Sequence, residues 1–127
     1  VYTDGWDGYP LAREKLLQFI AARRIRNPVV VGGDVHFAMA GELKTDFNDE
    51  KAPAVASEFV ATSISSFGPS AARMDALRAK NPHVKFANGA RRGYAMFNVT
   101  PKRWETTFRG LADAADAQSR AFTTGRY

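Results

Sequence analysis

The stretch Asn27–Phe37, NPVVVGGDVHF, decides how the chain is read. Three consecutive valines form the short apolar run that a strand buried on both faces requires. The run ends on Gly32 and Gly33, and an aspartate and a histidine then follow two residues apart, at Asp34 and His36. Strand stability needs neither polar side chain. In an extended chain, residues i and i+2 project to the same face. Asp34 and His36 are therefore expected to point together, just past the carboxyl end of a buried strand. Open α/β sheets commonly place ligands and chemistry there. The two glycines are expected to keep that rim uncrowded and to let the backbone turn sharply.

Upstream, residues 9–26 (YPLAREKLLQFIAARRIR) read as a helix. Pro10 suits its first turn, and Leu16, Phe19 and Ile20 supply an apolar stripe at helical spacing. Arg23, Arg24 and Arg26 complement the negative end of the helix dipole, and Asn27-Pro28 is expected to stop the helix. Helix, tight break and buried strand in that order are an α/β signature.

Downstream, FAMAGELK is ambiguous between strand and helix, and DFNDEKAP (46–53) reads as a loop. AVASEFVATSIS alternates as a strand, with Val55, Phe59 and Ile64 expected inside. FGPS breaks it, and Pro69 sits where a helix can start. SAARMDALRAKN fits that helix, with Met74 and Leu77 inward and Asn81-Pro82 at its end. HVKFANG, RRGYAMFNVTP and RWETTFRGLAD alternate as strands, with turns at Gly89-Ala90 and Thr100-Pro101. Tyr94, Met96 or Phe97, and Val99 are expected to face a core. The weakly patterned end, AADAQSRAFTTGRY, reads as a connection and a last short strand.

The 127 residues suit one ordinary domain, and fractions of 45% hydrophobic and 24% charged residues are those of a soluble globular protein. No apolar run approaches the roughly 18 residues of a membrane helix, so no membrane span is expected. The first ten residues, VYTDGWDGYP, carry no basic head or apolar core, so no export signal is expected in this segment. A formal charge of +5 and a pI near 9.8 attract anions. The arginines are dispersed, however, and nucleic acid is an expected partner only as a diester substrate. With no cysteine, the segment holds no disulfide and no thiolate ligand.

An imidazole and a carboxylate on one face can serve as ligands for neighbouring cations. Histidine suits a transition metal, and a carboxylate suits a hard ion or a bridge. The blander alternative is also open: Asp after Gly-Gly is often a turn residue, and a lone histidine is usually structural. Two ligands do not complete a site, since structural zinc takes four and catalytic zinc three from the protein. The second histidine, His83, lies in a segment that reads as an exposed turn.

DGWDGYPLAREKLLQFI, NPVVVGGDVHF, EFVATSISS, NPHVKFANGARRGY and VTPKRWETTFR follow one another at characteristic spacing. Together they resemble the C-terminal part of the PhoD-type alkaline phosphatases of the metallophosphoesterase superfamily. The superfamily closes its metal site with Gly-His-x-His after a strand, and the PhoD type with Gly-Asp-x-His. Gly33-Asp34-Val35-His36 matches the latter.

The resemblance implies that His36 ligates a ferric ion (Fe3+) and Asp34 an adjacent calcium ion (Ca2+), both in catalytic positions. It implies hydrolysis of phosphate mono- or diesters, with two cations polarising the phosphoryl group and activating a water. The family's earlier ligands are carboxylates, a cysteine, a tyrosine and an asparagine, all in an N-terminal half that these residues lack. That half of the same polypeptide is thus the implied partner, and this chain alone is expected to bind metal weakly and hydrolyse almost nothing. The family is typically exported, which implies the periplasm or cell exterior. The implied fold is α/β, the C-terminal half of a metallophosphoesterase-like two-sheet core flanked by helices.

Other residues carry paired readings. Asp7 and Tyr9 either sit near the site mouth, or Asp7 caps the first helix while Trp6 packs as a staple. Glu58 and Thr62 either support the metal ligands by hydrogen bonds or form a satisfied buried polar pair. Arg91 and Arg92 either hold substrate phosphate in bidentate fashion or are solvated turn residues. The alternative to an enzyme is a non-enzymatic binding or interaction domain that keeps the fold without the site. Either way, an exposed sheet edge or apolar patch is expected.

Overall fold

A computed structural model describes residues 3–127. Helix α1, Pro10–Ala22, carries Pro10 in its first turn, where a missing N–H costs nothing. It ends at Ala22 rather than Arg26, before Asn27-Pro28 is reached. Arg24 takes φ 48°, while Ile25 N–H donates to Ile20 O (3.2 Å) and Arg24 N–H to Ala21 O (3.0 Å). These two bonds are a Schellman motif, so the backbone itself closes the helix. The buried positions are Leu17 and Ile20. Leu16 and Phe19, expected inward, face solvent, and the Arg23 guanidinium lies over the Phe19 ring.

Strands β1 (Val29–Gly32), β2 (Ala38–Lys44), β3 (Ala54–Val60) and β4 (Val84–Asn88) form one sheet in the order β1-β3-β2-β4. β1 runs parallel to β3, with Val30 beside Glu58 and Gly32 beside Val60; the other pairs are antiparallel. The ambiguous FAMAGELK segment is thus a strand, and its small Ala38 and Ala40 sit fully buried. β1 is an outer strand of this sheet, so the expectation of burial on both faces fails: Val31 is 51% exposed. In β3, Phe59 is buried as expected and Val55 only partly so, while Ile64 lies beyond the strand in solvent.

Helix α2, Ala71–Lys80, starts after Ser70 rather than at Pro69, because the Ser70 hydroxyl accepts from Arg73 N–H (3.3 Å) as an N-cap. Met74 is its buried residue, Leu77 is half-buried, and Asn81 Nδ2 closes its end on Leu77 O (2.8 Å).

Strands β5 (Gly93–Thr100), β6 (Arg103–Leu111) and β7 (Ala121–Arg126) form a second, antiparallel sheet in that order. Ala38, Ala40 and Phe59 of the first sheet meet Phe108 of the second, flanked by Val29, Phe86, Ala95 and Trp104. The Phe86 and Phe108 rings stack at 5.2 Å between centroids. The fold is therefore mixed α/β, with two sheets and two α-helices among the described residues.

The β5 expectation needs correcting. Directly opposed antiparallel residues share a face, and Phe97 opposes Thr106 while Val99 opposes Trp104. Phe97 and Val99 thus lie on the core side, and Tyr94 and Met96 on the other. Because β5 is an outer strand, all four are exposed, Val99 at 59%. Among the described residues, no helix is long and apolar enough to cross a membrane.

Candidate metal centre

The loop between β1 and β2 carries Asp34 and His36. Val35 N–H donates back to Gly33 O (2.9 Å), closing a three-residue turn on Asp34, whose φ is 71°; His36 follows at φ 62°. Left-handed backbone is uncommon outside glycine. Such strain costs about 1–3 kcal/mol per residue and persists where the surroundings over-determine it, often at functional sites. No described glycine has positive φ, so the turn falls on Asp34 and His36 and not on Gly32 or Gly33. A Cβ at Gly33 would meet nothing within 4 Å. The extended-strand reason for Asp34 and His36 sharing a face therefore fails. Both are nonetheless exposed, two residues apart, on one tight loop beyond the carboxyl end of β1.

The surroundings that hold this loop are backbone groups. Thr62 Oγ1 lies 3.1 Å from Arg91 O and 3.5 Å from His36 O, so its single proton is shared between two carbonyls. Thr62 supports the His36 backbone and does not pair with Glu58. A Cβ on Gly68 would fall 2.3 Å from His36 O and 2.5 Å from Gly89 O; one on Gly89 would fall 2.3 Å from Pro69 O. Gly68 and Gly89 are the glycines the site requires, and the sequence showed them only as Gly-Pro and Asn-Gly turn signals.

Asp7 and Glu58 belong to a second cluster. Asp7 sits in a short 3-10 helix, Trp6–Gly8, and ion-pairs with Arg13. It does not cap α1, whose N-cap is Tyr9 without a side-chain bond. Trp6 and Tyr9 are exposed, so no staple forms. Burial first, and the Asp7 charge second, push the Glu58 carboxyl above its usual range. His83 lies in a turn, as expected, but it is half-buried and packs edge-on against Phe47 at 4.8 Å. Burial, then Lys44, Lys85 and Arg13, hold its imidazole below the usual value, opposed by Asp7. Arg91 and Arg92 are anchored, donating to Ala112 O (3.2 Å) and Ser65 O (3.1 Å).

Among the described residues, no three or more His, Cys, Asp or Glu side chains converge as a metal cage. An imidazole and a carboxylate at exposed positions on one loop are donor types suited to a transition metal and a hard cation, and two such groups do not by themselves complete a site. Residues 1–108 match the model of the PhoD-like phosphatase family. The chain belongs to that family. It is 41% identical over 109 residues to alkaline phosphatase D of Bacillus subtilis (strain 168), covering 84% of this chain and 18% of the relative. A solved structure of PhoD matches 97% of the chain with a TM-score of 0.88 and 36% identity, over 24% of that structure's chain. The chain thus spans less than a fifth of the curated relative and about a quarter of the solved PhoD chain. The PhoD likeness extends over both sheets, including β7, which lies past the family-model match.

Proposed function

We propose that this chain is the C-terminal part of a metal-dependent phosphatase or phosphodiesterase, and that Asp34 and His36 close its two-metal site. One observation carries the reading: in a PhoD-like phosphatase chain, Gly33-Asp34-Val35-His36 sets Asp34 and His36 at exposed positions, both at positive φ, on one loop beyond β1. His36 would hold a ferric ion and Asp34 an adjacent calcium, in keeping with imidazole for a transition metal and carboxylate oxygen for a hard one. Such cations, when bound, polarise a phosphoryl group and lower the pKa of a coordinated water. The chain's own part is orientation: Thr62 and the Gly68–Gly89 contact fix the His36 backbone, and the exposed loop leaves room for a phosphate mono- or diester. A preceding part of the same polypeptide would complete the ligand set. Export to the periplasm or cell exterior belongs to the same reading.

The test uses the full-length parent, wild type beside His36→Ala, on a chromogenic phosphomonoester and diester with and without a strong chelator. Chelator-sensitive turnover that is lost in His36→Ala supports the assignment. Turnover indifferent to both treatments means that the Asp34–His36 loop is structural.

A further inference from the structure

A cavity of about 220 Å³ is lined by the Gly68 segment, the turn at Gly89, both Arg91 and Arg92, and residues at and following the end of β6. That volume falls below the roughly 300–1,000 Å³ of pockets for drug-sized ligands, so the space suits a small group. We propose that this cavity binds a phosphate-class anion through Arg91 and Arg92. In the hydrolase proposed above, on which this clause rests, it takes a second phosphate carried by the substrate.

Both guanidiniums are held in place before any ligand arrives. Each donates one N–H to a backbone carbonyl, Arg91 to Ala112 and Arg92 to Ser65. Each also lies over an aromatic ring, Arg91 over Phe122 at 5.5 Å and Arg92 over Phe67 at 4.7 Å. A guanidinium has five N–H donors in a planar fork, so most of them stay available after this anchoring. A pre-oriented, weakly hydrated fork is the group that matches phosphate oxygens in pairs.

One carboxylate, Asp113, also lines the cavity and opposes an anion. Its Oδ1 accepts from Ala115 N–H (2.9 Å) within its own turn. Two guanidiniums against one carboxylate leave the lining net positive.

The cavity also shares a wall with the candidate metal loop. Gly68 and Gly89 line it, and the Gly68 backbone packs against both His36 O and Gly89 O. The Thr62 hydroxyl bridges His36 O and Arg91 O. A substrate with one phosphate at the metal loop would not engage the arginines. One with a second phosphate close by would, so the cavity would set a preference for multiply phosphorylated substrates.

The experiment has a metal-free arm and a turnover arm, both on the full-length parent. In the first, calorimetry follows inorganic phosphate binding in chelator at fixed ionic strength. Charge-assisted hydrogen bonds predict about 10-fold weaker binding in Arg92→Met. Asp113→Asn keeps the Oδ1 acceptor but removes the opposing charge, and should tighten binding by about twofold. In the second arm, kcat/KM is compared for an aryl monophosphate and an aryl ester bearing a second phosphate. Arg92→Met should lower the ratio favouring the second substrate by about 10-fold.

No phosphate binding by the wild type, or equal binding by Arg92→Met, overturns the cavity. If Arg92→Met does not fold, Asp113→Asn decides, and unchanged or weaker binding overturns it. Arginine-dependent binding with an unchanged substrate ratio overturns the substrate assignment. Arginine-dependent binding in a parent that turns over neither ester sinks the phosphatase reading and leaves the anion cavity standing.

Discussion

The carbonyl oxygen of His36 occupies the space that a side chain at Gly68 would need: a Cβ there would lie 2.3 Å away. The obstructing atoms are backbone, so no rotamer change relieves the clash and the His36 loop itself must shift. Gly68→Ala is therefore expected to destabilise the protein by roughly 1–3 kcal/mol, the usual cost of overpacking. It should also reduce chelator-sensitive hydrolysis by the parent. Gly33→Ala is the control, since its Cβ meets nothing within 4 Å, and should stay within about 0.5 kcal/mol of wild type. Thermal melts of the two variants decide; a Gly68→Ala protein with wild-type melting and activity removes Gly68 from the site.

His36 combines an exposed side chain with a φ of 62°. Any residue with a Cβ is strained there by about 1–2 kcal/mol, and glycine is not. His36→Gly should therefore be more stable than His36→Ala, by about 1 kcal/mol in denaturant unfolding. If His36 is a metal ligand, both variants lose activity equally, because the backbone is relieved in one and the imidazole is missing from both. A glycine variant no more stable than the alanine variant would contradict the left-handed loop.

These two tests bear on what the sequence made legible. The valine strand, the presence of α2 and the alternating strands were readable because local pattern determines them. The left-handed backbone was not, since neither Asp nor His announces positive φ and the adjacent Gly32 and Gly33 drew the turn to themselves. Gly68 and Gly89 were legible as turn residues but not as a pair, because their backbone contact joins segments about twenty residues apart. Tyr94 and Met96 were placed on the wrong face, and Val99, on the right one, is still exposed. Alternation identifies the two faces of a strand, but β5 stands at the outside of its sheet, and position in the sheet decides burial.

Thr62 offers a test of positioning apart from ligation. Its hydroxyl donates to the carbonyls of Arg91 and His36, and valine keeps the shape while removing the donor. Thr62→Val should cost about 1 kcal/mol for the lost hydrogen bond. Loss of a group that orients a ligand typically costs 10–100-fold in metal affinity or activity, so a reduction of about 10-fold is expected in the parent. Thr62→Ser should restore most of it. An unimpaired Thr62→Val parent would mean that the hydroxyl orients nothing.

Glu58 and His83 predict opposite slopes of stability with pH. The Glu58 carboxyl is raised, by burial and then by Asp7, so the folded state binds its proton more tightly than the unfolded state does. Its stabilising contribution is full below the unfolded value of about 4.3 and is lost as pH rises through the folded value. His83 is depressed, by burial and then by Lys44, Lys85 and Arg13. Its contribution is full above about 6.5 and is lost as pH falls through the folded value. Glu58→Gln, which cannot ionise, should thus melt above wild type at about pH 8, with the gap closing toward about pH 4. His83→Gln should flatten the loss of stability that wild type shows on acidification below about pH 6.5. Melting curves of metal-free parent across that range check both. A Glu58→Gln advantage that does not change with pH would show that the carboxylate is not strained by ionisation, and the Asp7–Glu58 proximity would then have no energetic consequence.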